Sequence, residues 1–185
     1  MIGVVARTGS AIAVALSGPA GTPRFRARRE IELAPPPGLP TQPYHAAADL
    51  DLAAAGQMIS EVGHGAEQAA AAGLRALADL LPAGAISAVA VVVKAVFVPD
   101  RLHDVLRSHA WMHAAEGVLY RQAVLAAAQD CGWRAYAVEL SELPAAEDAL
   151  AALGQAAGRP WRQMEKDAAR AAITVLVGYL SPQGF

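Results

Sequence analysis

Along the first third of the chain, apolar positions come in short runs closed off by turn formers, which is the signature of β-structure. IGVVAR (2–7) is a brief apolar run, Thr8-Gly9-Ser10 supplies a turn, and AIAVALS (11–17) is a second run that ends at GPAGTP (18–23). RFRARREIEL (24–33) alternates. Phe25, Ala27, Ile31 and Leu33 fall on one side, Arg24, Arg26, Arg28, Glu30 and Glu32 on the other, and Arg29 interrupts the apolar side. A period of two with one wet face predicts a strand, and three sequential strands predict an antiparallel meander.

APPPGLPTQP (34–43) can be neither helix nor inner strand, because its prolines fix φ and lack amide donors. A linker, or a loop laid over the sheet, is expected there. Helical pattern begins near Tyr44 or Asp49 and runs to Leu81, with a break expected at Gly63-His64-Gly65. Ile86–Val98 reads as an apolar strand that holds Lys94. Pro99-Asp100 opens a long helix to about Asp130, Cys131-Gly132 ends it, and RAYAVEL (134–140) is a further strand. Ala145–Leu153 is a helix, Gly154–Pro160 breaks it, and Trp161–Leu180 is the last helix, with SPQGF beyond. The order β-β-β-α-β-α-β-α predicts a mixed five-stranded α/β sheet flanked by helices, a single domain over residues 1–185 with a proline-rich loop at 34–43. It is similar to the element order of the ribonuclease H-like fold, which places the first strand at the sheet centre.

Composition narrows the class. At 185 residues, 55% of them hydrophobic, the chain can bury a core without disulfide or structural metal. No run approaches the ~18 apolar residues of a membrane span, and no secretory pattern opens the chain. Cys131 is the only cysteine, which rules out intrachain disulfides and cysteine-rich zinc sites and fits a reducing, cytoplasmic setting. A net charge of −2 excludes a generic polyanion binder, so nucleic-acid affinity would need a local patch. Arg24, Arg26 and Arg28 are the candidates for one, although Glu30 and Glu32 share their face and the same alternation protects an edge strand from pairing.

The most suggestive chemistry lies in SHAWMHAAEGVLYR (108–121), where His109, His113 and Glu116 stand at i, i+4 and i+7 on one helix face. Two histidines a turn apart suit a zinc ion, and the carboxylate could ligate or act as base. A further ligand must come from elsewhere, with His45, His64 and His103 as the available histidines. The structural alternative is a polar rim inside an alanine-rich helix pair. Trp161, after Pro160, is expected as an aromatic staple to the core.

IGVVARTGSAIAVAL, VVKAVFV, AEGVLYRQAVLAAAQDCGWRAYAVEL and EKDAARAAITVL together resemble the RuvC-type Holliday-junction resolvases of the ribonuclease H-like superfamily. The resemblance implies carboxylates on the first strand, at the end of the fourth, and on the last helix, holding two magnesium ions that cleave a phosphodiester. Here Val5 and Lys94 stand at the first two of those positions, and Glu165 and Asp167 are the remaining last-helix acids. A valine offers no oxygen and an ammonium repels a cation. The resemblance therefore implies a degenerate relative with no magnesium at the usual site, in which Lys94 either neutralises Glu165 or Asp167 in place of metal or stands at an exposed strand end and reaches into solvent. Three functions are open. One is a non-catalytic binding or assembly module in nucleic-acid metabolism. Another is a metal-dependent hydrolase or nuclease using His109, His113 and Glu116, with zinc or another divalent metal as its cofactor. The third is a self-associating structural protein, since alanine-dense helices can pack against a second copy or a protein partner as readily as within the chain.

Overall fold

The computed structural model describes residues 1–19 and 21–178. Five strands, β1 (Ile2–Arg7), β2 (Ser10–Ser17), β3 (Arg24–Glu32), β4 (Ala88–Val93) and β5 (Arg134–Glu139), form one sheet in the order β3-β2-β1-β4-β5. The first three are antiparallel, and β4 and β5 run parallel to β1. The first strand is central, as the expected ribonuclease H-like order requires. The helices are α1 (Pro43–Ala46), α2 (Leu52–Ala78), α3 (Leu102–Leu106), α4 (His109–Asp130), α5 (Glu147–Ala157) and α6 (Gln163–Leu176). The expected extension of the last helix to Leu180, and the SPQGF tail, lie outside the described residues.

Strand alternation divides two cores. Ile2, Val4, Ala13, Val89 and Val91 face α2 and α4, where Ala70, Leu74, Tyr120 and Val124 complete the layer. Ile12, Val14, Ala90, Val92 and Val138 face the opposite way, toward α5 and α6. With both faces covered, β4 carries no polar residue, as an interior parallel strand should. Gly3 permits the close approach of α6, since a Cβ there would overlap the Ala168 carbonyl.

Several boundaries differ from expectation, each for a local reason. A β-bulge between Ala15 and Leu16 of the β2–β3 pairing sets Leu16 opposite Phe25 and Ala15 opposite Ala27. The extra residue reverses the phase, so Phe25 packs with Trp161 on the α5–α6 face while Ala27 and Ile31 face α2. Helix α2 runs unbroken through Gly63-His64-Gly65. Gly65 receives the Pro36 ring and Gly73 receives Ile31, so the glycines serve close packing and not a hinge. The proline-rich segment is a strap. It crosses from β3 to α1, lays Pro36 on Gly65, and is held where the Tyr120 hydroxyl donates to the Thr41 carbonyl at 2.6 Å.

The long helix expected from Asp100 to Asp130 is split. Ser108, extended, caps α4 by accepting from the Trp111 amide, and the shorter α3 precedes it. Strand β4 stops at Val93, because the Ala95 amide bonds the Glu139 carboxylate at 3.0 Å instead of continuing the ladder.

Candidate metal centre

Strand β4 ends before Lys94, so this lysine sits on an exposed connection and not inside the sheet. The Lys94 charge therefore never enters the interior. The expected pairing of Lys94 with Glu165 or Asp167 does not form. Glu165 is buried and accepts from the Arg162 amide at 3.0 Å, capping the helix that carries it. Asp167 pairs with Arg170 at 3.2 Å and accepts from Gln163. Both acids are occupied by their own helix, which removes any need for a distant lysine.

Val5 is packed into the apolar layer beneath α6. Near the ends of β1 and β4 the carboxylates have other partners: Glu30 bridges Arg7 at 3.3 Å, and Glu139 holds the Ala95 amide. Among the described residues, the one convergence of three or more histidine, cysteine or carboxylate groups lies elsewhere, at His45, His109 and His113.

That cluster is built by two elements. Pro43 starts α1, its ring filling a position where no amide donor is needed, and places His45 in the last turn. The Ser108 cap starts α4 at His109, and the helical period then brings His113 and Glu116 onto the same face. The three rings lie with centroids 4.9 Å (His45–His109), 4.4 Å (His45–His113) and 4.4 Å (His109–His113) apart. Their ligand atoms lie within 4.8 Å of one another. His109 and His113 are exposed, while His45 is the inner member, its side chain 21% exposed.

Behind them lies Glu116, with a fully buried side chain. Its Oε1 accepts from His45 Nδ1 at 2.8 Å and from the His45 amide at 3.4 Å. A carboxylate oxygen accepts, so Nδ1 is assigned as the donor of this contact, which leaves Nε2 facing away from Glu116. That Nε2 is buried with no hydrogen-bond partner, and so is Glu116 Oε2, which lies 3.9 Å from His113 Nδ1. The negative charge is felt nearby: burial first and Glu116 second push the Tyr120 phenol up to about 12, and the same causes raise Tyr44. Val105, Met112 and Ala115, with Tyr44 and Val98 against them, form a small apolar cluster that joins α1, α3 and α4.

The helix-face reading of His109, His113 and Glu116 thus places three residues together, but the carboxylate stands behind a histidine and not in a ligand row. The residue that completes the row is His45, 64 positions before His109 in sequence, which the periodicity of α4 could not single out. His64 and His103 are elsewhere, bonded to Gln68 and Asp104. Of the three candidate arginines, Arg28 is used internally, its guanidinium donating to the carbonyls of Gly158, Arg159 and Pro160. Arg26 bonds Ser17, and Arg24 and Arg26 are exposed. Trp161 packs edge-on to Phe25 at 6.3 Å, the expected aromatic staple.

No protein-family model matches the sequence, and no curated protein does. Solved structures match over nearly its whole length. Thermus thermophilus RuvC in complex with a Holliday-junction substrate superposes with a TM-score of 0.55 at 16% identity, covering 96% of this chain and 93% of that one. A second Thermus thermophilus RuvC structure gives a TM-score of 0.53 at 18% identity, covering 98% of each chain. The chain has the RuvC form of the ribonuclease H-like fold.

Proposed function

We propose that this protein is a nucleic-acid-binding or assembly module on the RuvC fold, without the two-magnesium cleavage chemistry associated with that fold. One observation carries the reading: where β1 and β4 end, the structure offers Val5 in an apolar layer and Lys94 in solvent, with no convergence of carboxylates among the described residues. Magnesium demands a near-octahedral set of oxygens, and nothing at this end supplies one.

Binding is supported by what replaces the acids. Three residues beyond Lys94, Phe97 is 74% exposed and stacks edge-on to the half-exposed Trp111 at 6.5 Å. An exposed aromatic pair, one ring of which shares a connection with an exposed ammonium group, suits an unstacked base and its phosphate, since any base can stack and any phosphate attracts the charge. The neighbour bound to a Holliday junction makes branched DNA the first ligand to try. The self-association reading has lost its main feature, because Ala66, Ala70, Ala71, Ala123 and Ala127 are buried within the chain's own α2–α4 packing.

The test is fluorescence anisotropy with a four-way junction and a single strand at rising salt, beside a cleavage assay in magnesium. Salt-sensitive binding without strand scission is expected, weakened by Phe97→Ala at roughly the 1–3 kcal/mol a stacked base contributes. Magnesium-dependent scission, or no binding even at low salt, sinks the reading.

A further inference from the structure

We propose that His45, His109 and His113 form a binding site for a zinc-class divalent ion, with Glu116 as the carboxylate that orients His45. This goes beyond nucleic-acid binding and does not rest on it.

Four features combine. Three imidazole side chains are gathered from two helices, with ligand atoms inside 4.8 Å. A tetrahedral zinc ion with bonds of about 2.0–2.1 Å needs its nitrogens about 3.3 Å apart, so a modest closure is required. His109 and His113 are exposed and can rotate to make it. The inner ligand is already set: Glu116 accepts a hydrogen bond from Nδ1–H of His45, which is how a buried carboxylate fixes the tautomer and basicity of a metal-bound imidazole. The resulting Nε2 lone pair is buried and unpartnered.

An unpaired buried acceptor costs free energy, and so does a carboxylate with no exposure and one oxygen unbonded. A bound cation completes Nε2 directly and offsets the Glu116 charge through the ring. A purely structural His45–Glu116 pair accounts for the 2.8 Å contact but not for two further imidazoles with ring centroids 4.9 and 4.4 Å from that of His45.

The donor set selects the ion. Imidazole suits zinc, copper, nickel and ferrous iron, whereas magnesium and calcium want oxygen. Three protein ligands leave a fourth position for water or for an anionic group of a ligand, and the exposed rings put that position toward solvent. Because His45 belongs to the short helix after the strap, and His109 and His113 to α4, the ion would also pin the end of the strap to α4.

The test uses metal-free protein titrated with Co2+, read by the intense visible bands of a tetrahedral ion, then competed with Zn2+. One equivalent of each is expected, with no response to Mg2+. His109→Ala and His113→Ala alter exposed residues, so circular dichroism and Tm of the metal-free variants should stay unchanged. Each should weaken binding by more than the roughly 10–100-fold that loss of an orienting partner costs, and Glu116→Gln should fall within that range. Zn2+ should raise the Tm of the wild type and not of His113→Ala. Absence of stoichiometric Co2+ binding overturns the site. So does binding that survives both alanine variants intact, while wild-type affinity in Glu116→Gln overturns the orienting role.

Discussion

At the scale of single residues, ionisable side chains in this protein are governed by their closest neighbours more than by sheet position. Lys94 is the clearest case: one residue past the end of β4, it avoids the desolvation that a place inside the strand would impose. Glu67 is the opposite case. Burial first, then a hydrogen bond and repulsion from Asp130, raise its carboxyl above the ordinary value of 4.5. A carboxyl that holds its proton more tightly in the folded state stabilises that state below 4.5 and loses the contribution as pH rises through the raised value. Glu67→Gln should therefore raise the Tm at about pH 7, and by less at about pH 4, where the wild-type group is already largely protonated. Thermal unfolding at the two pH values checks this; an equal gain at both would show that Glu67 carries no such penalty.

At the scale of elements, a helix tolerates glycine where the missing side chain admits a neighbour. Gly63 and Gly65 lie in the same turn of α2, yet a Cβ at Gly63 would sit in ordinary contact 3.8 Å from Leu119, while one at Gly65 would run into the Pro36 ring. Gly63→Ala should accordingly stabilise by about 0.4–1 kcal/mol through the unfolded chain's lost freedom. Gly65→Ala should destabilise by about 1–3 kcal/mol by lifting the strap. Denaturant midpoints measure both, and two changes of the same sign would contradict the packing. The GHG triplet is legible as a helix breaker from local propensity alone. What reverses it is a proline 29 positions earlier, which no period of α2 encodes.

At the scale of the whole molecule, a sheet covered on both faces has little tolerance at the contact between layers. Gly3→Ala places a methyl group against the Ala168 carbonyl and must push α6 from β1. The expected loss exceeds the about 1–3 kcal/mol of ordinary core overpacking, read as a lower denaturant midpoint. The resemblance to the ribonuclease H-like order supplied the central first strand, while hydrophobic patterning by itself determined the five strands and the major helices. Those follow from periods of two and 3.6 and from residue type, which are local properties. Only the tertiary structure decided that the β2–β3 bulge turns Phe25 toward Trp161, that Glu165 and Asp167 are satisfied within their own helix, and that His45 completes the row begun by His109 and His113. Each of these depends on where chain segments far apart in sequence, or the caps between them, come to rest. A side chain's period reports its face, and its partner is chosen by packing.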